Sequence, residues 1–342
     1  MSETIHIALS FNDPKGTYAR HAAVTMVSIF ENTSSPICVH VLHDDTLTDF
    51  NMDAMSDVAH KYGQSVLFHN IESAFNARKK LLSSFKRLAD WGKGTVYRLL
   101  LPETVEVDKI IYLDCDILVT LDIAELWNVP IGDKAVACVR DCSGDYKKRP
   151  VRWQDKLRCG FMDVEAAEYF NAGVLLMNLG KIRKEYDIIG SLGGFLNRYG
   201  RCVIAPDQDY LNWLFSHDKL MVDEKFDRMR WENFSEEALY GAIWHMSGFK
   251  PWTLFSRPYV DELYWEYLRH TKYCKSEKEL VRLMLRDLSK ESKIHRHSSD
   301  CIRRLLKQMR ENLFDGSIWI YIYIIYKKLT GDYYGIRYSR RR

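Results

Sequence analysis

A chain of 342 residues has room for one large α/β domain with an appendage, or for two domains. With 46% hydrophobic and 28% charged residues it can build a sizeable core, and none of its eight Cys forms a C-x-x-C pair, which leaves zinc ribbons and thioredoxin-like chemistry without support. The formal net charge of +3 conceals an asymmetry: residues 275–342 carry 17 Lys/Arg against 8 Asp/Glu, so a mildly acidic body precedes a basic tail.

The first 70 residues alternate strand and helix signals. Ile5–Ser10 reads as a short buried strand, Ala22–Asn32 has helical spacing, and Cys38–His43 is a second strand. Thr46–Tyr62 reads as a helix with Thr46 as its N-cap, and Ser65–His69 as a third strand. This βαβαβ order predicts a parallel sheet with helices on its faces, and ligands beyond the carboxyl ends of its strands. Ser73–Trp91 is mixed, and Thr95–Leu101 is helical. Lys109–Leu113 is the clearest central strand, followed by the apolar runs Ala135–Val139 and Gly173–Met177. Asp141–Val164 is charged and irregular and reads as a loop or lid. Pro206–Phe215 starts a helix with Pro in its first turn, Ala242–His245 is a short strand, and Tyr259–His270 is helical. Charged amphipathic helices are expected from Lys275 to Glu311. The charge shift places a boundary near residue 272, giving a catalytic domain of 1–272 and a basic helical region of 273–342.

Tyr112-Leu113-Asp114-Cys115-Asp116-Ile117-Leu118-Val119 is the most informative run. Two carboxylates two residues apart in extended chain project to one side, here inside an apolar stretch where an unpaired charge is costly. A divalent cation resolves that cost, and hard oxygen ligands suit Mg²⁺ or Mn²⁺. The bland alternative is a strand ending in a solvated acidic turn. Ile243–Trp252 (IWHMSGFKPW) offers His245 as a further ligand, Gly248 for close backbone approach to a phosphate and Lys250 as a point charge. A satisfied core histidine is the competing reading of His245. Asn171 sits at the mouth of a strand, and Asp207-Gln208-Asp209 at a helix start, where acids often only complement the helix dipole. Arg98 needs an anionic partner, either a structural carboxylate or a phosphate.

Taken together and in order, Y-R, Y-L-D-x-D, F-N-A-G-V-L-L-x-N, D-Q-D and H-x-x-G-x-K-P-W resemble glycosyltransferase family 8, which includes bacterial lipooligosaccharide galactosyltransferases and the glycogenins. The similarity runs from about Ile5 to Trp252. It implies a GT-A fold: a Rossmann-like, mostly parallel central sheet flanked by helices, here with a C-terminal helical appendage. It also implies a UDP-sugar donor, Mn²⁺ (or Mg²⁺) and retention of anomeric configuration. Carried over position by position, Asp114 and Asp116 are the metal pair and His245 the third protein ligand. Asp114 also lies near the donor sugar and ribose, and Arg98 near the donor. Asn171, Asp207 and Gln208 line the transferred sugar, with Gln208 and Asp207 as the catalytic candidates. Gly248 and Lys250 close on the diphosphate. Where the family often has an Asp contacting uracil, Ala8–Asp13 reads A-L-S-F-N-D, so Ala8, Asn12 and Asp13 are the donor-binding candidates here, with Asn12 or Asp13 in the uracil role. An apparent Pro14-Lys15-Gly16 insertion follows, and the last motif is one residue shorter than the H-x-x-G-x-x-K-P-W of many members.

The expected activity is therefore transfer of a hexose, galactose or glucose, from a UDP-sugar to a saccharide acceptor in lipopolysaccharide or other cell-surface glycan synthesis. A metal-dependent nucleotidyltransferase and a non-catalytic nucleotide-sugar binder are the alternatives. The tail Ser317–Tyr326 (SIWIYIYIIY) is followed by Lys327-Lys328 and ends in Arg340-Arg341-Arg342. It is too short for the ~20 residues of a spanning helix but suits peripheral contact with anionic membrane. No recognised motif accompanies the charge, so nucleic acid is not an expected partner. Met1–Ser10 lacks a basic segment followed by a long apolar stretch, which predicts no secretory signal, reduced thiols and a cytoplasmic protein peripheral on the inner face of the cytoplasmic membrane.

Overall fold

The computed structural model describes residues 3–82, 92–141, 153–200, 202–229, 236–247, 250–252, 258–276, 279–280 and 283. The chain opens as β1 (Ile5–Ser10), α1 (Ala19–Asn32), β2 (Ile37–His43), α2 (Asp49–Lys61) and β3 (Ser65–Asn70). β4 (Lys109–Leu113), β5 (Ile117–Val119), β6 (Val136–Arg140), β7 (Phe170–Asn178), β8 (Lys219–Met221) and β9 (Ile243–His245) follow. Seven strands form one sheet in the order β3-β2-β1-β4-β7-β6-β8. β3, β2, β1 and β4 are mutually parallel, β7 is antiparallel to both β4 and β6, and β6 is parallel to β8. The sheet is thus mostly parallel, as the alternating pattern predicts.

Strand alternation divides the core between the two faces of this sheet. Ile7, Leu9, Val39, Val41, Ile111 and Leu113 pack into one apolar cluster. Ala8, Leu42, Ile110, Tyr112, Leu175 and Met177 pack into the other. With both faces covered, β2 is buried along its whole length, which is why it reads as an unbroken run and not as an amphipathic strand. α1 is buried at twelve of its fourteen positions because it lies between α2, β5 and the helix Pro258–Arg269.

Several expectations are corrected. α2 starts later than read: Thr48, not Thr46, is the N-cap and accepts the amide of Asn51. The Thr46 hydroxyl donates to Asp44 and accepts the amide of Asp13 at 2.7 Å, so it is already engaged outside the helix. The loop or lid expected at Asp141–Val164 contains a helix, Trp153–Phe161; residues 142–152 of that span lie outside the described residues. Its buried face carries Arg158, whose charge reads as solvated but is matched by Asp209 and lies over the Tyr169 ring. Ala8 is core: it sits mid-strand between His40 and Tyr112 with no exposed surface, leaving nothing for a ligand to touch.

Packing continues past residue 272. Tyr273 donates to Asn51 at 3.0 Å, and Cys274 and Leu280 are buried in the first apolar cluster. The amphipathic helices expected from Lys275 to Glu311, save residues 275, 276, 279, 280 and 283, and the tail Ser317–Tyr326 lie outside the described residues. Among the described residues no helix is long and apolar enough to cross a membrane.

Candidate active site

The site is built where β4 ends. Asp114, Cys115 and Asp116 form a tight turn into β5, so the two acids converge through the turn and not along an extended strand. β5 then pairs antiparallel with β9, placing Ile117 opposite His245. That register brings the distant imidazole to the acids: His245 Nε2 lies 3.5 Å from Asp116 Oδ1 and 3.9 Å from Asp114 Oδ2. His245 Nδ1 contacts Asp227 Oδ1 at 2.9 Å. An Nδ1–H donated to Asp227 turns Nε2 towards the acids, as a carboxylate behind a metal-binding histidine does. Ligand atoms of Asp114, Asp116 and His245 all lie within 4.8 Å of one another, so these three side chains fit a single divalent cation.

β7 closes the wall behind them. The Asp114 amide donates to the Gly173 carbonyl at 2.8 Å. A Cβ on Gly173 would stand 2.3 Å from His245 Cε1 and 2.9 Å from Asp114 Oδ2, so no larger residue fits beside this cluster. Asn171 accepts the Gly173 amide at 2.7 Å and is buried close by.

Arg98 meets the first of its two expected anionic partners, a structural carboxylate, twice over. Its Nη2 donates to Asp114 Oδ1 at 2.7 Å, and its Nε donates to the Thr95 carbonyl and forms an ion pair with Asp207 Oδ2 at 2.9 Å, while the guanidinium lies 4.4 Å from the Tyr112 ring centre. Asp207 is thus a charge partner at the start of the helix Pro206–Leu214. Burial, helped by Asp114 and opposed by Arg98, raises its pKa to about 6. Gln208 is fixed at both ends of its amide: Oε1 accepts the Ala172 amide at 3.0 Å, and Nε2 donates to Asp141 at 2.9 Å and to the Tyr169 hydroxyl at 3.3 Å. Asp209, the third member of the triplet, is wholly internal and accepts from the Ile204 and Ala205 amides and from Tyr169.

Lys250 reaches Asp116 and donates to the Met246 carbonyl. Burial disfavours ionised Asp116, but Lys250 and His245 outweigh it and hold the carboxyl well below its usual range. Burial likewise disfavours a charged His245, yet Asp116, Asp227 and Asp114 raise its pKa to about 9. Two residues on, Trp252 stacks on His21 with ring centres 3.6 Å apart. Gly248 lies outside the described residues.

Asp13 and Asn12 are engaged differently from Asp114 and Asp116. Asp13 accepts the amides of Thr17, Tyr18 and Ala19 and the side chain of Asn51, and so caps α1. Asn12 Oδ1 accepts the Gly94 amide at 3.2 Å. Three contributors escape sequence reasoning: Asp227, in a charged stretch that reads as surface; Gly173, whose close approach needs three dimensions; and Trp252, quoted in a motif without a role.

Residues 6–254 match the family-wide profile described as Glycosyl transferase family 8. The chain belongs to glycosyltransferase family 8. A Haemophilus influenzae chain carrying a glycosyltransferase name is 29% identical over 229 residues, covering 66% of this chain and 64% of that one, so this chain spans just under two thirds of that relative. General stress protein A of Bacillus subtilis is 25% identical over 294 residues, 79% of this chain and 95% of that one. Among solved structures, the galactosyltransferase LgtC in complex with donor and acceptor sugar analogs superposes with a TM-score of 0.65 at 24% identity, covering 80% of this chain and 98% of that one. The bifunctional glycosyltransferase WbbM gives 0.62 at 18% identity, covering 83% and 52%. The fold of this family 8 member is accordingly GT-A.

Proposed function

We propose that this family 8 enzyme transfers a hexose, galactose or glucose, from a UDP-sugar to a saccharide acceptor in cell-surface glycan synthesis, such as that of lipopolysaccharide, with retention of configuration. The observation that carries this reading is the convergence of Asp114, Asp116 and His245, with Lys250 beside them. Asp114, Asp116 and His245 would hold Mn²⁺ (or Mg²⁺), which supplies positive charge and a template for the donor diphosphate. Lys250 stabilises charge on the leaving diphosphate. Gly248 belongs to the same closing loop. Asp207, Gln208 and Asn171 face the transferred sugar, and Arg98 positions Asp114 and Asp207 without touching the reacting atoms. With its carboxylate engaged by α1, Asp13 leaves the nucleobase contact to Asn12.

Same-face attack within an ion pair is the favoured route to retention. A double displacement needs a carboxylate free to meet the anomeric carbon, whereas Asp207 is held by Arg98 and Gln208 is an amide. A glycosyl adduct trapped on Asp207 would overturn this route.

A panel of UDP-sugars with Mn²⁺ and no acceptor tests the activity. Release of UDP from one hexose donor is expected. Pyrophosphate released from UTP and a hexose 1-phosphate, with no UDP from any UDP-sugar, would make the chain a nucleotidyltransferase, and binding without turnover a sugar-nucleotide binder. The basic aromatic tail is assigned to peripheral contact with anionic lipid on the inner face of the cytoplasmic membrane, each clustered cation adding about 1 kcal/mol. Full-length protein should co-sediment with anionic vesicles at low salt, and purely cytosolic fractionation would refute the contact.

A further inference from the structure

A second group of metal-binding side chains lies on the sheet away from the candidate active site. β1 and β2 pair in parallel with His6 opposite Cys38. His40 is two residues along β2 and so shares the Cys38 face. The register therefore sets two imidazoles and a thiol side by side. Ligand atoms of His6, Cys38 and His40 lie within 4.8 Å of one another, with His6 Nδ1 only 2.9 Å from His40 Nε2. His40 and Cys38 are buried and His6 is half-buried, which gives the group an approach from solvent.

The other nitrogen of His40 is fixed from β3: Nδ1 lies 3.0 Å from His69 Nε2, with the rings stacked at 5.2 Å. An Nδ1–H donated to His69 leaves the Nε2 lone pair facing His6 and Cys38, the orientation a metal-ligating histidine adopts. His6, His40 and His69 thus form a chain of three imidazoles across β1, β2 and β3, each in contact with the next. Among the described residues the Cys38 thiol has no hydrogen-bond partner, and it is a free cysteine.

We propose that His6, Cys38 and His40 form a second metal site that takes a borderline-soft divalent cation such as Zn²⁺ through two imidazole nitrogens and one thiolate. Binding releases the Cys38 thiol proton, and water completes the tetrahedron. Zn–N bonds of about 2.0–2.1 Å at a tetrahedral angle set the nitrogens about 3.4 Å apart, so the imidazoles need to part by only about half an ångström. The two sites differ in chemistry: Asp114, Asp116 and His245 offer two hard oxygens to one nitrogen, whereas this group offers sulfur and two nitrogens. They also differ in place, since Ser10, which reaches Tyr112 beside Asp114, lies four residues or about 13 Å further along β1 than His6. A cation here ties β1 to β2 and does not meet the donor.

Co²⁺ reports this site directly, because a thiolate ligand gives a charge-transfer band in the near ultraviolet that Asp114, Asp116 and His245 cannot give, and the nearby Cys115 thiol is turned to the Ser10 carbonyl. Full-length protein saturated with Mn²⁺ is titrated with Co²⁺ and then with Zn²⁺. The expected result is a thiolate band that Zn²⁺ bleaches, that is lost in Cys38→Ser, and that persists in His69→Phe with affinity lowered on the order of tenfold. Absence of the band in the unmodified protein overturns the proposal whatever the variants do. Its survival in folded Cys38→Ser, verified by an unchanged metal-free melt, overturns it as well. Should Cys38→Ser fail to fold, His6→Gln serves in its place, with at least tenfold weaker Co²⁺ binding expected and unchanged binding overturning the site.

Discussion

β1 and β4 are neighbours in the sheet, both run parallel, and each is followed within a few residues by a buried or half-buried aspartate, yet the two acids do opposite things. Asp13, after β1, gives its oxygens to three backbone amides at the start of α1 and to Asn51. Asp114, after β4, has one oxygen held by Arg98 and Tyr112 while the other faces His245 across the bare α-carbon of Gly173. An acid consumed by the fold's own amides is architecture. One whose remaining oxygen lies near an imidazole and a second carboxylate is available to a ligand, the role proposed for Asp114.

The comparison is broken most severely by Asp116→Asn. Metal-dependent donor hydrolysis should fall by on the order of 10³-fold, about 4 kcal/mol of transition-state stabilisation, measured as initial UDP release with Mn²⁺. Asp13→Ala should do the reverse. Loss of a charged helix cap costs about 3 kcal/mol in urea unfolding, while turnover per folded molecule stays within a few-fold. A large activity defect at full stability would return Asp13 to the ligand.

Asp207 sharpens the contrast through pH. Its folded pKa of about 6 exceeds the ordinary 3.8, so its contribution to stability is complete below 3.8 and is lost as pH rises through 6. Asp207→Asn should therefore gain on the unmodified protein between pH 4 and pH 7 by about 2 kcal/mol, read from urea midpoints at the two values. The smallest effect is expected from Asp227→Asn. With His245 less firmly oriented, Mn²⁺ affinity should weaken roughly tenfold by calorimetry, with the unfolding midpoint little changed.

Much of this was legible before folding. The buried strands β1, β2 and β4 announce themselves because a sheet covered on both faces demands mostly apolar runs, here interrupted in β1 and β2 by His6, His40 and His43. The helix Trp153–Phe161 does not, since its inner face relies on Arg158 and Cys159 where aliphatic residues would have shown a period. Nor does β5, three residues long, although its pairing with β9 is what assembles the site. Asp114, Asp116, His245 and Lys250 are visible as motifs. Asp227 is not, because E-K-F-D looks like any solvated turn until a buried imidazole is found beside it.

The pairing of Ile117 with His245 also sets a clock on synthesis. A nascent chain carrying Asp114 and Asp116 has no imidazole to complete the cluster until β9 leaves the ribosome, and contacts so far apart in sequence form late. The cluster of Asp114, Asp116 and His245 is thereby complete only in chains whose β9 has paired with β5, so a prematurely terminated product ending before β9 would carry the acids without their imidazole.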